Sequence, residues 1–97
     1  MNVNVGERRV ALIRAAIETA LAPVALEVVD ESHLHAGHEG ARDGRGHFAV
    51  HVVSAAFAGL RPLARHRLVF EAVGELMRTD IHALSIRAQT PDEAGGG

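Results

Sequence analysis

The chain has no cysteine, no tryptophan and no tyrosine, and only three phenylalanines among its 97 residues. Without thiols it has no disulfide, no thiolate metal ligand and no thiol nucleophile of its own, which fits a reducing cytoplasm. With so few aromatics, its core must be built from Val, Leu, Ile and Ala, and a hydrophobic content of 47% is enough to build one. A marked charge excess is also missing. The formal charge of −2 gives no general attraction to phosphate backbones, so nucleic-acid binding would need a local basic patch. No apolar run approaches the length of a membrane span, and Met1 to Gly6 lack the basic-then-apolar order of a secretory signal. These absences predict one small soluble cytoplasmic domain with no membrane partner.

What the chain does have is histidine, seven in all, with four (His33, His35, His38 and His47) in or bounding one glycine-broken stretch. That stretch runs through Gly37, Gly40, Gly44, Arg45 and Gly46. Imidazole is the commonest metal ligand in its neutral form, and glycines let several rings turn toward one point. The loop is therefore the first place to look for chemistry.

Around it the periodicity is regular. Val10, Ile13, Ile17 and Leu21 recur at three or four residues, widened by Ala16 and Ala20, and predict an amphipathic helix stopped by Ala22-Pro23. Val24 to Asp30 reads as a strand, Glu31 to Gly46 as the histidine loop, and His47 to Ser54 as a second strand paired antiparallel to the first. A short piece, Ala55 to Ala58, stops at Gly59. Pro62 then opens a helix from about Leu63 to Arg78, with His66, Val69, Phe70, Val73, Leu76 and Met77 as its apolar stripe. Ile81 to Ala88 alternates as a third strand, and the polar, glycine-ended tail from Thr90 is expected to fray.

The order is α-β-β-α-α-β, an α+β domain with a three-stranded mixed sheet. A full helix joins the second strand to the third, which makes those two parallel. Both then begin at one end of the sheet, where the loop also ends. That topology carries His82 toward His33, His35, His38 and His47.

Several pieces now fall into a familiar order: Leu26 to Ser32, His47-Phe48, Val52-Val53-Ser54 with Phe57 to Leu60, Arg65-His66-Arg67, Ile81-His82-Ala83-Leu84, and Thr90-Pro91. In that order and spacing the sequence resembles the BolA family, over about Glu7 to Glu93. The resemblance implies a single BolA-like, class II KH-like domain over 7–93, with flexible ends at 1–6 and 94–97. It implies partnership with a monothiol glutaredoxin in a heterodimer sharing a [2Fe–2S] cluster, in iron–sulfur cluster trafficking or iron homeostasis. It also implies DNA binding and transcription regulation of the stress or cell-morphology type. Under the first role, the family's C-terminal histidine ligand falls on His82. The second ligand comes from the loop, at His35, with His47 as the alternative and His33 and His38 behind it. With no cysteine here, thiolates must come from the partner and from glutathione, and the isolated chain would hold no cluster. Imidazole in place of thiolate on one iron is known chemistry, as in Rieske centres.

Arg61, Arg65, His66 and Arg67 form the one local basic cluster, a candidate nucleic-acid or partner-binding face at a helix start. The turn Gly59-Leu60-Arg61-Pro62 lacks the second glycine of a KH nucleic-acid loop. His51, mid-strand, reads as structural. No nucleophile with a nearby base and no glycine-rich phosphate loop is present, so the expectation is a non-enzyme.

Overall fold

The computed structural model describes residues 4–35 and 44–95. Helix α1 (Val5–Leu21) begins at Asn4, whose side chain caps the Glu7 N–H, so the helix starts two residues before the predicted domain boundary. Ile13, Ile17 and Leu21 are buried, as their spacing requires. Ala22 ends the helix in the left-handed region (φ 44°), with its N–H bonded to the Glu18 carbonyl. Strand β1 (Ala25–Asp30) pairs antiparallel with β2 (Gly46–Val53), and β2 pairs parallel with β3 (Ile81–Gln89), giving the order β1-β2-β3. This is the mixed sheet expected from the sequence.

One face of the sheet carries Phe48, Val50 and Val52, packed against α1 and against helix α2 (Pro62–Val73) through Val69 and Val73. Phe48, Phe57, Ile13, Ile17 and Ile81 are the largest fully buried residues of this core. Buried Ser54 ties the layers together: its Oγ donates to the Leu21 carbonyl at 2.6 Å and accepts from Ala56 N–H at 3.1 Å. Ala55–Phe57 form a short 3-10 turn, where the sequence suggested a brief separate piece.

The predicted helix over 63–78 is in fact two. Gly74 takes φ 49°, a conformation that favours glycine, and closes α2; the single turn α3 (Leu76–Thr79) follows. Phe70 also departs from its predicted place. It is 41% exposed, and Leu68 and Ala72 pack toward the core alongside Val69 and Val73. The tail, expected to fray from Thr90, instead folds into the short helix α4 (Pro91–Ala94). Thr90 and Glu93 form a reciprocal capping box there, which supplies bonds that the polar composition alone did not suggest. Among the described residues no helix is long and apolar enough to cross a membrane.

Candidate functional site

The start of β3 is irregular. Gly46 pairs with Ile81, but the next residue, His47, pairs with Ala83, so His82 is an extra residue in the ladder. Counting back by twos from the inward-facing Leu84, Ile86 and Ala88 would put His82 in the core. The bulge lets Ile81 take that core position, fully buried, and turns His82 out to the surface. Bulges re-aim side chains in this way next to functional sites. His82 then lies beside His47, with ring centroids 5.2 Å apart and planes tilted by 42°.

The loop is anchored at the same place. Asp30 Oδ1 accepts from Ser32 N–H at 2.9 Å and turns the chain into the 3-10 turn Ser32–His35. Ser32 Oγ accepts from His47 N–H at 3.1 Å, and Glu31 N–H donates to the His47 carbonyl at 2.8 Å. Gly46 N–H reaches the Asp80 carbonyl at 2.9 Å. This crossing needs a glycine, since a Cβ at Gly46 would stand 2.6 Å from Ser32 Oγ and 2.8 Å from the Phe48 ring. Asp80 in turn receives the Thr79 hydroxyl and Arg9, which hold its carboxyl below the usual range.

The predicted histidines therefore separate. His82 and His47 come together as the topology required. His33 is exposed. The backbone of His35 ends the turn anchored on His47; its side chain, and all of His38, lie outside the described residues. His47 is half-buried, with Nε2 shut off from solvent. His51 is structural as read: its Nε2 meets Gln89 Oε1 across the sheet at 2.6 Å. One participant went unassigned in the sequence. Arg45 donates from Nη2 to His82 Nδ1 at 3.2 Å and from Nη1 to the Met77 and Ile81 carbonyls at 2.9 and 3.4 Å. Only its position between Gly44 and Gly46, two residues before the strand's first histidine, hinted at a constrained role.

The basic face needs correction. Arg65 is not a surface cation: its side chain is 13% exposed, and it donates to the Leu60 and Ala88 carbonyls at 2.8 and 3.1 Å. It also grips Glu93 through both oxygens, at 2.6 and 3.1 Å. Arg65 and the Thr90 N–H pull the Glu93 carboxyl down to about 2, and Glu93 raises the Arg65 pKa in turn. A groove of about 520 Å³ beside this pair is lined by Ala55, Gly59, Pro91 and Asp92 among others. His66 is half-buried, while Arg61 and Arg67 remain exposed.

The donors at the histidine end are imidazoles, which in their neutral form can ligate a borderline metal ion. With metal–nitrogen bonds of about 2.1 Å, two imidazoles on one tetrahedral ion have centroids roughly 5 Å apart, close to the spacing of His47 and His82. Among the described residues no group of three or more metal-type side chains occurs. The side chains of His35 and His38 lie outside the described residues, so His47 and His82 are the imidazoles whose placement at this end is described.

The family profile for BolA-like protein matches residues 17–93. The chain is 49% identical over 81 residues to BolA-like protein 1 of Mus musculus, covering 84% of this chain and 57% of the mouse protein. It is 45% identical over 71 residues to the DNA-binding transcriptional regulator BolA of Vibrio cholerae, covering 73% of this chain and 64% of that protein. It thus spans less than two thirds of the length of either relative. Among solved structures, the BolA domain of SufE1 from Arabidopsis thaliana superposes with a TM-score of 0.75 at 40% identity, covering 96% of this chain and 99% of that one. The profile match, these relatives and the superposition on the SufE1 BolA domain agree, and the chain belongs to the BolA family.

Proposed function

We propose that this domain is a non-catalytic cytoplasmic partner of a monothiol glutaredoxin, sharing with it a [2Fe–2S] cluster for trafficking or iron homeostasis. His82 is the first ligand in this reading, and His35 from the loop is the second. His47 is the alternative second ligand. Its ring is near enough to His82 for both to reach one ion, but the shielding of its Nε2 counts against it. The observation that carries the reading is the bulge. The fold interrupts a regular strand to hold His82 outside the core, at the point where the loop is pinned by Ser32. A histidine needed only for packing gains nothing from that arrangement. Bound there, the cluster would supply electron-transfer and iron-donor chemistry, while the chain supplies imidazoles and a docking surface. The test is anaerobic reconstitution of a monothiol glutaredoxin with glutathione and iron, with and without this chain. A one-to-one mixed complex in native mass spectra and a changed visible spectrum support the reading. An unaltered glutaredoxin homodimer at excess chain would reject it.

A second reading, a DNA-binding regulator, draws on the similarity to the Vibrio cholerae protein. Arg61 and Arg67 are its available cations, since Arg65 is engaged within the fold. So few phosphate contacts on a chain of charge −2 give weak binding with a shallow salt slope, lost equally across sequences in Arg61→Ala and Arg67→Ala. Tight sequence-selective binding, measured by fluorescence anisotropy at physiological salt, would put this reading first.

A further inference from the structure

The bond between Arg45 and His82 has a definite polarity. A guanidinium has five donors, no acceptor, and stays protonated. In the 3.2 Å contact from Arg45 Nη2, His82 Nδ1 must therefore offer its lone pair. A neutral imidazole has one such lone pair, and the other nitrogen carries the proton. The lone pair that a metal ion would need is thus already engaged. Ligand histidines ordinarily show the opposite pattern, their second nitrogen donating to a carboxylate or carbonyl. Arg45 is also held firmly in place, its Nη1 bridging the Met77 and Ile81 carbonyls on either side of the turn that delivers His82.

We infer that Arg45 is a latch on His82, a positioning residue that restrains this histidine from ligation until the partner-borne cluster displaces it. The inference rests on the reading of His82 as a ligand. If His82 ligates through Nδ1, one nitrogen–iron bond forms, the Nη2–H···Nδ1 bond breaks and no proton moves. If it ligates through Nε2, the Nε2 proton leaves to solvent and Nδ1 takes one up. An Nδ1–H then faces an Nη2–H, and the guanidinium must withdraw. By either route the Arg45–His82 contact is lost, while the contacts to Met77 and Ile81 can persist. Arg45 therefore sets a threshold on the histidine's availability, separate from the identity of the second ligand.

A latch and a simple charge act in opposite directions on an anionic thiolate-bearing cluster. As a nearby cation Arg45 would attract the cluster, and its removal would weaken the mixed complex. As a latch it opposes ligation, and its removal strengthens it. The experiment titrates wild type, Arg45→Met, Arg45→Lys and His82→Ala into cluster-loaded monothiol glutaredoxin with glutathione, following visible circular dichroism. In parallel, Co²⁺ is titrated into each isolated chain and its visible absorption followed. Arg45→Met is expected to lower the mixed-complex midpoint roughly three- to tenfold, the worth of one partly exposed charge-assisted hydrogen bond. Arg45→Lys, which keeps the charge but loses the fork, should fall between it and wild type. That variant decides the sign if Arg45→Met does not fold by far-ultraviolet circular dichroism. The cobalt gain in Arg45→Met should vanish when His82→Ala is added. A midpoint unchanged or raised in the folded Arg45 variants overturns the latch, as does a cobalt gain that survives without His82. Failure of the ligand reading looks different: His82→Ala would match wild type in both titrations, and the latch would fall with it.

Discussion

Strand β3 meets an arginine near each end, and the two guanidiniums are engaged differently. Arg65, on α2, sends its donors into the Leu60 and Ala88 carbonyls and the Glu93 carboxylate. Arg45, in the chain entering β2, reaches two carbonyls and a histidine ring. Both are long cations near strand ends, roughly 20 Å apart along β3. Arg65 is enclosed by groups that only donors can satisfy, so it stabilises the fold. Arg45 has a partner that ligand chemistry would claim, so it is tied to the candidate site. The type of partner, more than the charge or its clustering, separates an arginine that holds the fold from one that touches a candidate site residue.

The largest effect that tests this contrast is on stability. Arg65→Ala should produce the greatest fall in melting temperature of any single arginine variant here, because it removes the donor to the Leu60 and Ala88 carbonyls and leaves Glu93 with only the Thr90 N–H. Arg67→Ala should lie within error of wild type. Comparable melting temperatures for the two would break the comparison and return Arg65 to the surface. At the other end, Gly46→Ala should cost about 1–3 kcal/mol, since the new Cβ must push Ser32 or Phe48 aside. Urea titration measures this directly, and the loss should be accompanied by shifted ring resonances of His47 and His82. A neutral Gly46→Ala would mean that the loop anchor yields more freely than the close approach implies.

A smaller effect sharpens the tail contact. Arg65 and Thr90 lower the folded-state pKa of Glu93 from 4.5 to about 2. Its stabilising contribution is therefore full above the unfolded value and is lost as pH falls through the folded one. Glu93→Gln should lower the melting temperature by a constant amount from neutral pH down to about 4.5. The difference should then shrink toward zero near pH 2. A gap that stays constant down to the acid limit would assign the loss to packing of α4. The smallest effect is expected from Ala22→Gly, which relieves a left-handed alanine (φ 44°) at the end of α1. It should stabilise by about 0.5–1 kcal/mol in the same urea assay, and a loss would show that the turn into Pro23 is not strained.

These residues also mark what could be read in the sequence. The three strands, their order and the first helix followed from the spacing of Val, Ile and Leu, and the crossover rule brought His82 to the loop end. The bulge was not legible: regular alternation accounts equally well for Ile81 to Ala88, and only the pairing of Gly46 with Ile81 and His47 with Ala83 reveals the extra residue. Arg65 was misread because its carboxylate partner lies 28 residues away in a segment whose composition suggested fraying. Phe70 was placed inside by hydrophobicity, although α2 buries a narrower stripe that ends at Gly74. Arg45 was passed over because its role depends on a histidine 37 residues later. Local pattern conveyed the elements, and contacts across the sheet decided which side chains are available for function.

The most direct test of the central claim is the visible circular dichroism of the cluster-loaded complex between this chain and a monothiol glutaredoxin, recorded for wild type and His82→Ala. An exposed residue in a bulge contributes little to the core, so the variant should fold as wild type does. The account predicts loss of the mixed-complex signal and return of the spectrum to that of the glutaredoxin-only cluster. A His82→Ala complex whose spectrum overlays wild type would contradict it.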